Sequence, residues 1–60
     1  FMKSLYSAKS ISEGEILTDE SVIPNKPGTG IPANQINSIL GKKAKIDIKA
    51  NTMLKPEDLE

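Results

Sequence analysis

Sixty residues make one domain at most, and a chain this short buries only roughly 60% of the surface its unfolded form exposes. Eight lysines balance eight carboxylates, and there is no arginine, histidine or cysteine. That composition excludes disulfide staples, Cys/His zinc sites and histidine-dependent nucleophiles. Zero net charge gives no electrostatic reason to expect nucleic acid or an anionic membrane as partner. No apolar run approaches the ~20 residues of a membrane span, and no signal-peptide core is read at the N-terminus. A small neutral domain without staples is expected to be a piece of something larger.

In chain order, Phe1 to Ile11 alternates loosely and predicts a strand near Ser4–Lys9. Ser12-Glu13-Gly14-Glu15 is turn chemistry, with Gly14 supplying a positive φ. Ile16-Leu17 resumes extended structure, and Thr18-Asp19-Glu20-Ser21 reads as an N-capped single helical turn. Val22-Ile23 is a short apolar pair before a break at Pro24. The stretch from Pro24 to Gly30 holds two prolines and two glycines and predicts neither helix nor central strand. Pro32 suits a first helical position, with Ile36, Ile39 and Leu40 on one face of a short helix stopped by Gly41. Lys43–Ile48 alternates again with Ala44, Ile46 and Ile48 on one side. Asn51 turns the chain, and Pro56 starts a closing acidic turn. The domain is therefore expected to be mainly β with one short helix.

Two of these segments are the same unit. At a constant offset of 37 residues, Ile11 meets Ile48, Ile16 meets Met53, Leu17 meets Leu54, Glu20 meets Glu57 and Val22 meets Leu59. Gly14 meets Asn51, and these residue types enter the left-handed backbone region most readily. The pairing predicts internal pseudo-two-fold symmetry, with Gly14 and Asn51 at equivalent turn positions.

Among candidate sites, only the loop Asn25-Lys26-Pro27-Gly28-Thr29-Gly30 looks built for a ligand. Its glycines let backbone amides approach an anion or carbonyl, and Lys26 offers three donors on a flexible stem. The spacing of a phosphate-binding P-loop is absent. A plain surface crossover remains the competing reading. Glu13, Glu15, Asp19 and Glu20 lie close in sequence but on a turn and a helical start, which predicts solvation rather than metal binding or acid–base work. Lys42, Lys43 and Lys45 read as a solvated face, since neighbours in an alternating strand point opposite ways. No catalytic residue is predicted, and the chain alone is not expected to be an enzyme.

Several blocks carry a resemblance: Lys3-Ser4-Leu5-Tyr6; Ala8-Lys9 with Ile11, Gly14-Glu15 and Leu17-Thr18; Lys26-Pro27-Gly28-Thr29-Gly30-Ile31; and Ile39 with Gly41-Lys42-Lys43-Ala44 and Asp47-Ile48. Together they resemble the SAF, or antifreeze-like, domain over nearly the whole chain. More narrowly they look like the C-terminal domain of bacterial sialic acid synthases and of relatives making legionaminic or pseudaminic acid. The Pro-Gly-x-Gly-Ile loop followed by the helix and Gly-Lys-Lys-Ala narrows the match to the synthases.

The resemblance implies a compact, pretzel-like β-clip fold with short 3-10 turns, residues 1–60 forming a single domain at the C-terminus of a larger TIM-barrel enzyme. Such enzymes condense phosphoenolpyruvate with an N-acetylated hexosamine, using a divalent metal held in a barrel that these residues do not contain. The resemblance thus implies no cofactor or metal in this domain, a cytoplasmic location, and a homodimer in which the domain caps the partner subunit's barrel. It also implies substrate binding by Lys26, Pro27, Gly28, Thr29 and Gly30, position 26 being where the family places an arginine that holds the N-acetyl group. Lysine there is a point donor without the planar fork. Lys3 likewise stands where the family has arginine. Free-standing ice binding of the type III antifreeze kind, or a flagellar or pilus assembly role, are the alternatives. The residues upstream of Phe1 discriminate between these readings, since a barrel pattern favours the synthase and a signal peptide an assembly protein.

Overall fold

The computed structural model describes residues 2–60; Phe1, where the alternating N-terminal segment was read to begin, lies outside them. Strand β1 (Ser4–Ser7) pairs antiparallel with β2 (Val22–Asn25), with Tyr6 opposite Ile23 and Leu5 opposite Pro24. The rest of the β structure is isolated bridges, Ser4–Pro32, Tyr6–Met53, Ile11–Ile48, Ile16–Lys43 and Ala44–Leu59. A 3-10 turn (Ala33–Gln35) runs into helix α1 (Ile36–Ile39), and a second 3-10 turn (Pro56–Asp58) closes the chain.

The predicted repeat is present in the hydrogen bonding. Ile11 and Ile48 exchange two backbone bonds, of 2.8 and 2.7 Å, so the pseudo-two-fold axis passes between them. Shifting one half by 37 residues turns the Tyr6–Met53 bridge into Lys43–Ile16, and the Ser7–Val22 pair into Ala44–Leu59. Gly14 N–H donates to the Ala44 carbonyl at 2.7 Å, and Asn51 N–H donates to the Ser7 carbonyl at 2.8 Å. Both turn residues adopt the left-handed region, Gly14 at φ 86° and Asn51 at φ 59°. One core lies between the halves, with Leu5, Ile11, Leu17, Ile48 and Leu54 buried at its centre.

Local readings differ from the structure at five places, each for a physical reason. β1 ends at Ser7 rather than continuing to Lys9, because the backbone bends at Ala8-Lys9 after one last in-register bond, Ala8 N–H to the Ser21 carbonyl at 2.8 Å. Thr18–Ser21 is a turn held by a Ser21 N–H to Thr18 carbonyl bond of 2.9 Å, and only its counterpart at Pro56 becomes 3-10. β2 continues through Pro24 and Asn25 because it is the outer strand, where proline's missing donor is tolerated. Pro32 sits before the helical turn at ψ 140°, and Leu40 leaves α1 in extended geometry ahead of Gly41 at φ 92°. Ile46 is 47% exposed, because the backbone bends at Lys45-Ile46 and breaks the alternation that would have buried it.

Candidate functional site

The loop of residues 26–30 folds back over one face of β1, where strand alternation places Ser4 and Tyr6 side by side. Both hydroxyls donate to a single acceptor, the Pro27 carbonyl, Ser4 Oγ at 2.7 Å and Tyr6 Oη at 3.1 Å. A carbonyl oxygen has two lone pairs, and this one uses both. Gly28 lies against the backbone of Met2, so closely that an added Cβ would stand 2.4 Å from the Met2 carbonyl oxygen. Gly30 packs on the Met53 side chain, and Thr29 Oγ1 reaches Met53 Sδ at 3.9 Å. Ahead of these anchors the Lys26–Pro27 peptide is cis, and the Lys26 amide donates to Asn25 Oδ1 at 2.8 Å.

The five residues singled out from sequence therefore form one contiguous, tethered surface. Lys26, Pro27 and Thr29 are exposed, while Gly28 and Gly30 are half-buried against the body of the domain. The glycines serve close packing: Gly28 faces backbone and Gly30 a methionine side chain. The exposed residues of the loop are a lysine, a proline and a threonine. That set can donate to a polar ligand.

Sequence reasoning missed the supports of this loop. Ser4, Tyr6 and Met53 are 21 or more residues from the groups they touch, and no local signal marks such a contact. Their spacing is suggestive only in retrospect, since Ser4 and Tyr6 are two apart on a strand and so share a face.

The other candidates do not converge. Glu13, Asp19 and Glu20 are exposed. Glu15 Oε1 accepts from the Ser12 amide at 2.9 Å, its other oxygen lies 3.9 Å from Lys9 Nζ, and Asp47 Oδ1 accepts from the Glu13 amide at 2.8 Å. These carboxylates stitch turns. Among the described residues no group of three or more His, Cys, Asp or Glu could hold a metal ion. Lys42, Lys43 and Lys45 are all exposed. No helix among the described residues is long and apolar enough to cross a membrane.

This clip of two interlocked strand–turn–strand repeats is matched by the SAF domain family over residues 3–60. The chain belongs to that family. It is 38% identical over 60 residues to the pseudaminic acid synthase of Helicobacter pylori, spanning all of this chain and 18% of that protein. It is 40% identical over 58 residues to the pseudaminic acid synthase of Campylobacter jejuni serotype O:23/36, spanning 97% of this chain and 17% of that protein. The chain thus covers under a fifth of these curated relatives. Among solved structures it superposes on the antifreeze protein like domain of human N-acetylneuraminic acid phosphate synthase with a TM-score of 0.90. That match covers 95% of this chain and 73% of the other, at 24% identity, and speaks for the fold alone.

Proposed function

We infer that this domain caps the substrate site of a nonulosonic acid synthase, an enzyme joining phosphoenolpyruvate to an N-acetylated amino sugar, and is noncatalytic by itself. In this reading the loop of residues 26–30 faces the barrel of a partner subunit in a homodimer, and Lys26 donates to the sugar's acyl oxygen. One observation carries it: Lys26 stands at the head of a loop anchored at Pro27, Gly28 and Gly30, so a flexible donor rides on a fixed base. The identity to two pseudaminic acid synthases across nearly the whole chain supports the same class of substrate. The domain's contribution is orientation and exclusion of water, effects that can lower a barrier by several kcal/mol, about 7–11 at the extreme.

The test is kinetic, in the full-length synthase. Lys26→Ala is expected to lower kcat/KM for the amino sugar by about 10- to 150-fold, the equivalent of losing a charge-assisted hydrogen bond of about 1.5–3 kcal/mol. Phosphoenolpyruvate affinity should stay nearly unchanged. Lys26→Arg should keep or improve activity, since a guanidinium offers the same donor with added directionality. Equal kinetics for wild type and both variants would reduce the loop to a crossover.

A further inference from the structure

We propose that Ser4 and Tyr6 are positioning residues that act through the loop of residues 26–30: their hydroxyls grip the Pro27 carbonyl and so fix where the side chain at position 26 can reach. The proposal rests on the reading of that loop as substrate-facing and adds how the loop is held.

The internal repeat supplies a control within the same molecule. At the offset of 37, Ser4 and Tyr6 correspond to Gly41 and Lys43, and the Tyr6–Met53 bridge corresponds to Lys43–Ile16. The bridge geometry is shared by Tyr6 and Lys43, yet the residues on this face differ, and Gly41 stands in a turn at φ 92° where Ser4 stands in a strand. In the first half Ser4 is fully buried, Tyr6 is 8% exposed and Met53 is half-buried, all beneath the loop. In the second half no loop among the described residues covers the face, and Gly41, Lys43 and Ile16 lie exposed. The clip itself therefore requires no hydroxyl at the Tyr6 position, where the two halves share a bridge. Their presence is accounted for by the loop, because both converge on one of its carbonyls.

A backbone carbonyl next to a flexible lysine is an effective place to hold such a loop. The two bonds anchor Pro27, the neighbour of Lys26, through its backbone alone. Each hydroxyl hydrogen bond contributes modestly, about 0.5–1.5 kcal/mol net, so losing one should loosen the loop rather than unfold the domain.

Tyr6→Phe and Ser4→Ala test this in two settings. In the 60-residue chain, NMR order parameters at Gly28 and Thr29 should fall from about 0.85 toward 0.6 or below, while those at Gly41 and Lys43 stay unchanged. In the full-length synthase, Tyr6→Phe should lower kcat/KM for the amino sugar by about 2- to 13-fold and leave the KM for phosphoenolpyruvate alone. Repeated in a Lys26→Ala background, Tyr6→Phe should have almost no further effect, because it acts through the group already removed. Should Ser4→Ala lose its fold, the Tyr6→Phe arm, which keeps the ring, decides alone. Unchanged loop order parameters overturn the proposal, as do kinetic losses that simply add to those of Lys26→Ala. A loosened loop with silent kinetics in Lys26→Ala itself upholds the tether and overturns only the substrate reading.

Discussion

Gly14 and Asn51 perform the same turn in the two repeats, and each shows what the other position tolerates. Nothing lies within 4 Å of a Cβ added at Gly14, so a substitution there meets only its φ of 86°. Gly14→Ala is expected to cost about 1–2 kcal/mol, the strain of a left-handed L-residue. Gly14→Asn should cost distinctly less, as the asparagine at φ 59° in the other repeat indicates. Urea unfolding of the two variants measures the difference; equal losses would remove the conformational explanation. At Gly28 the constraint is the reverse. The Met2 carbonyl at 2.4 Å from an added Cβ is backbone and cannot rotate aside, so Gly28→Ala should cost about 1–3 kcal/mol through displacement of the loop or the N-terminal segment.

The turns themselves are built differently. Around Gly14 the Glu15 amide donates to the Ser12 carbonyl at 2.9 Å. Around Asn51 the fully buried Ser7 hydroxyl donates to the Lys49 carbonyl and accepts from the Thr52 amide at 2.9 Å. The counterpart of Ser7 is Ala44, which makes no such link. Ser7→Ala should therefore destabilise by about 1–3 kcal/mol, since two backbone groups lose their buried partner. In thermal unfolding that corresponds to a Tm lower by roughly 4–8 °C per kcal/mol for a domain of this size. These elements also show what was legible in the sequence. The repeat was, because Gly14 and Asn51 carry a rare backbone requirement that only a few residue types meet. The position of the loop was also legible, from its dense proline and glycine. The course of β2 through Pro24 was not, because whether proline breaks a strand depends on whether that strand is an edge. Ile46 misled because alternation assumes an unbent strand, and the Ser4, Tyr6 and Ser7 hydroxyl bonds join residues far apart in the chain.

Over the whole molecule, the two repeats are interleaved rather than placed side by side. Ile11 pairs with Ile48, Tyr6 with Met53, Ile16 with Lys43, and the core draws Leu17 and Leu54 together. Neither half can complete these three bridges alone, and a core of this size supplies only about 3–5 kcal/mol. Unfolding by urea should accordingly be a single transition, coincident by circular dichroism and by Tyr6 fluorescence. Such non-local pairings demand loop closure before they return any contact, which places refolding in the range of about milliseconds to seconds rather than microseconds. Stopped-flow refolding of the 60-residue chain tests that rate. The interleaving also governs the timing of folding during synthesis. Strand β1 leaves the ribosome ahead of the rest of the domain, yet its bridge partner Met53 and the core residues Leu54 and Leu59 come near the other end of these sixty residues. The nascent domain must wait for Leu59, so in a chain stalled before Met53 these residues should be open to protease.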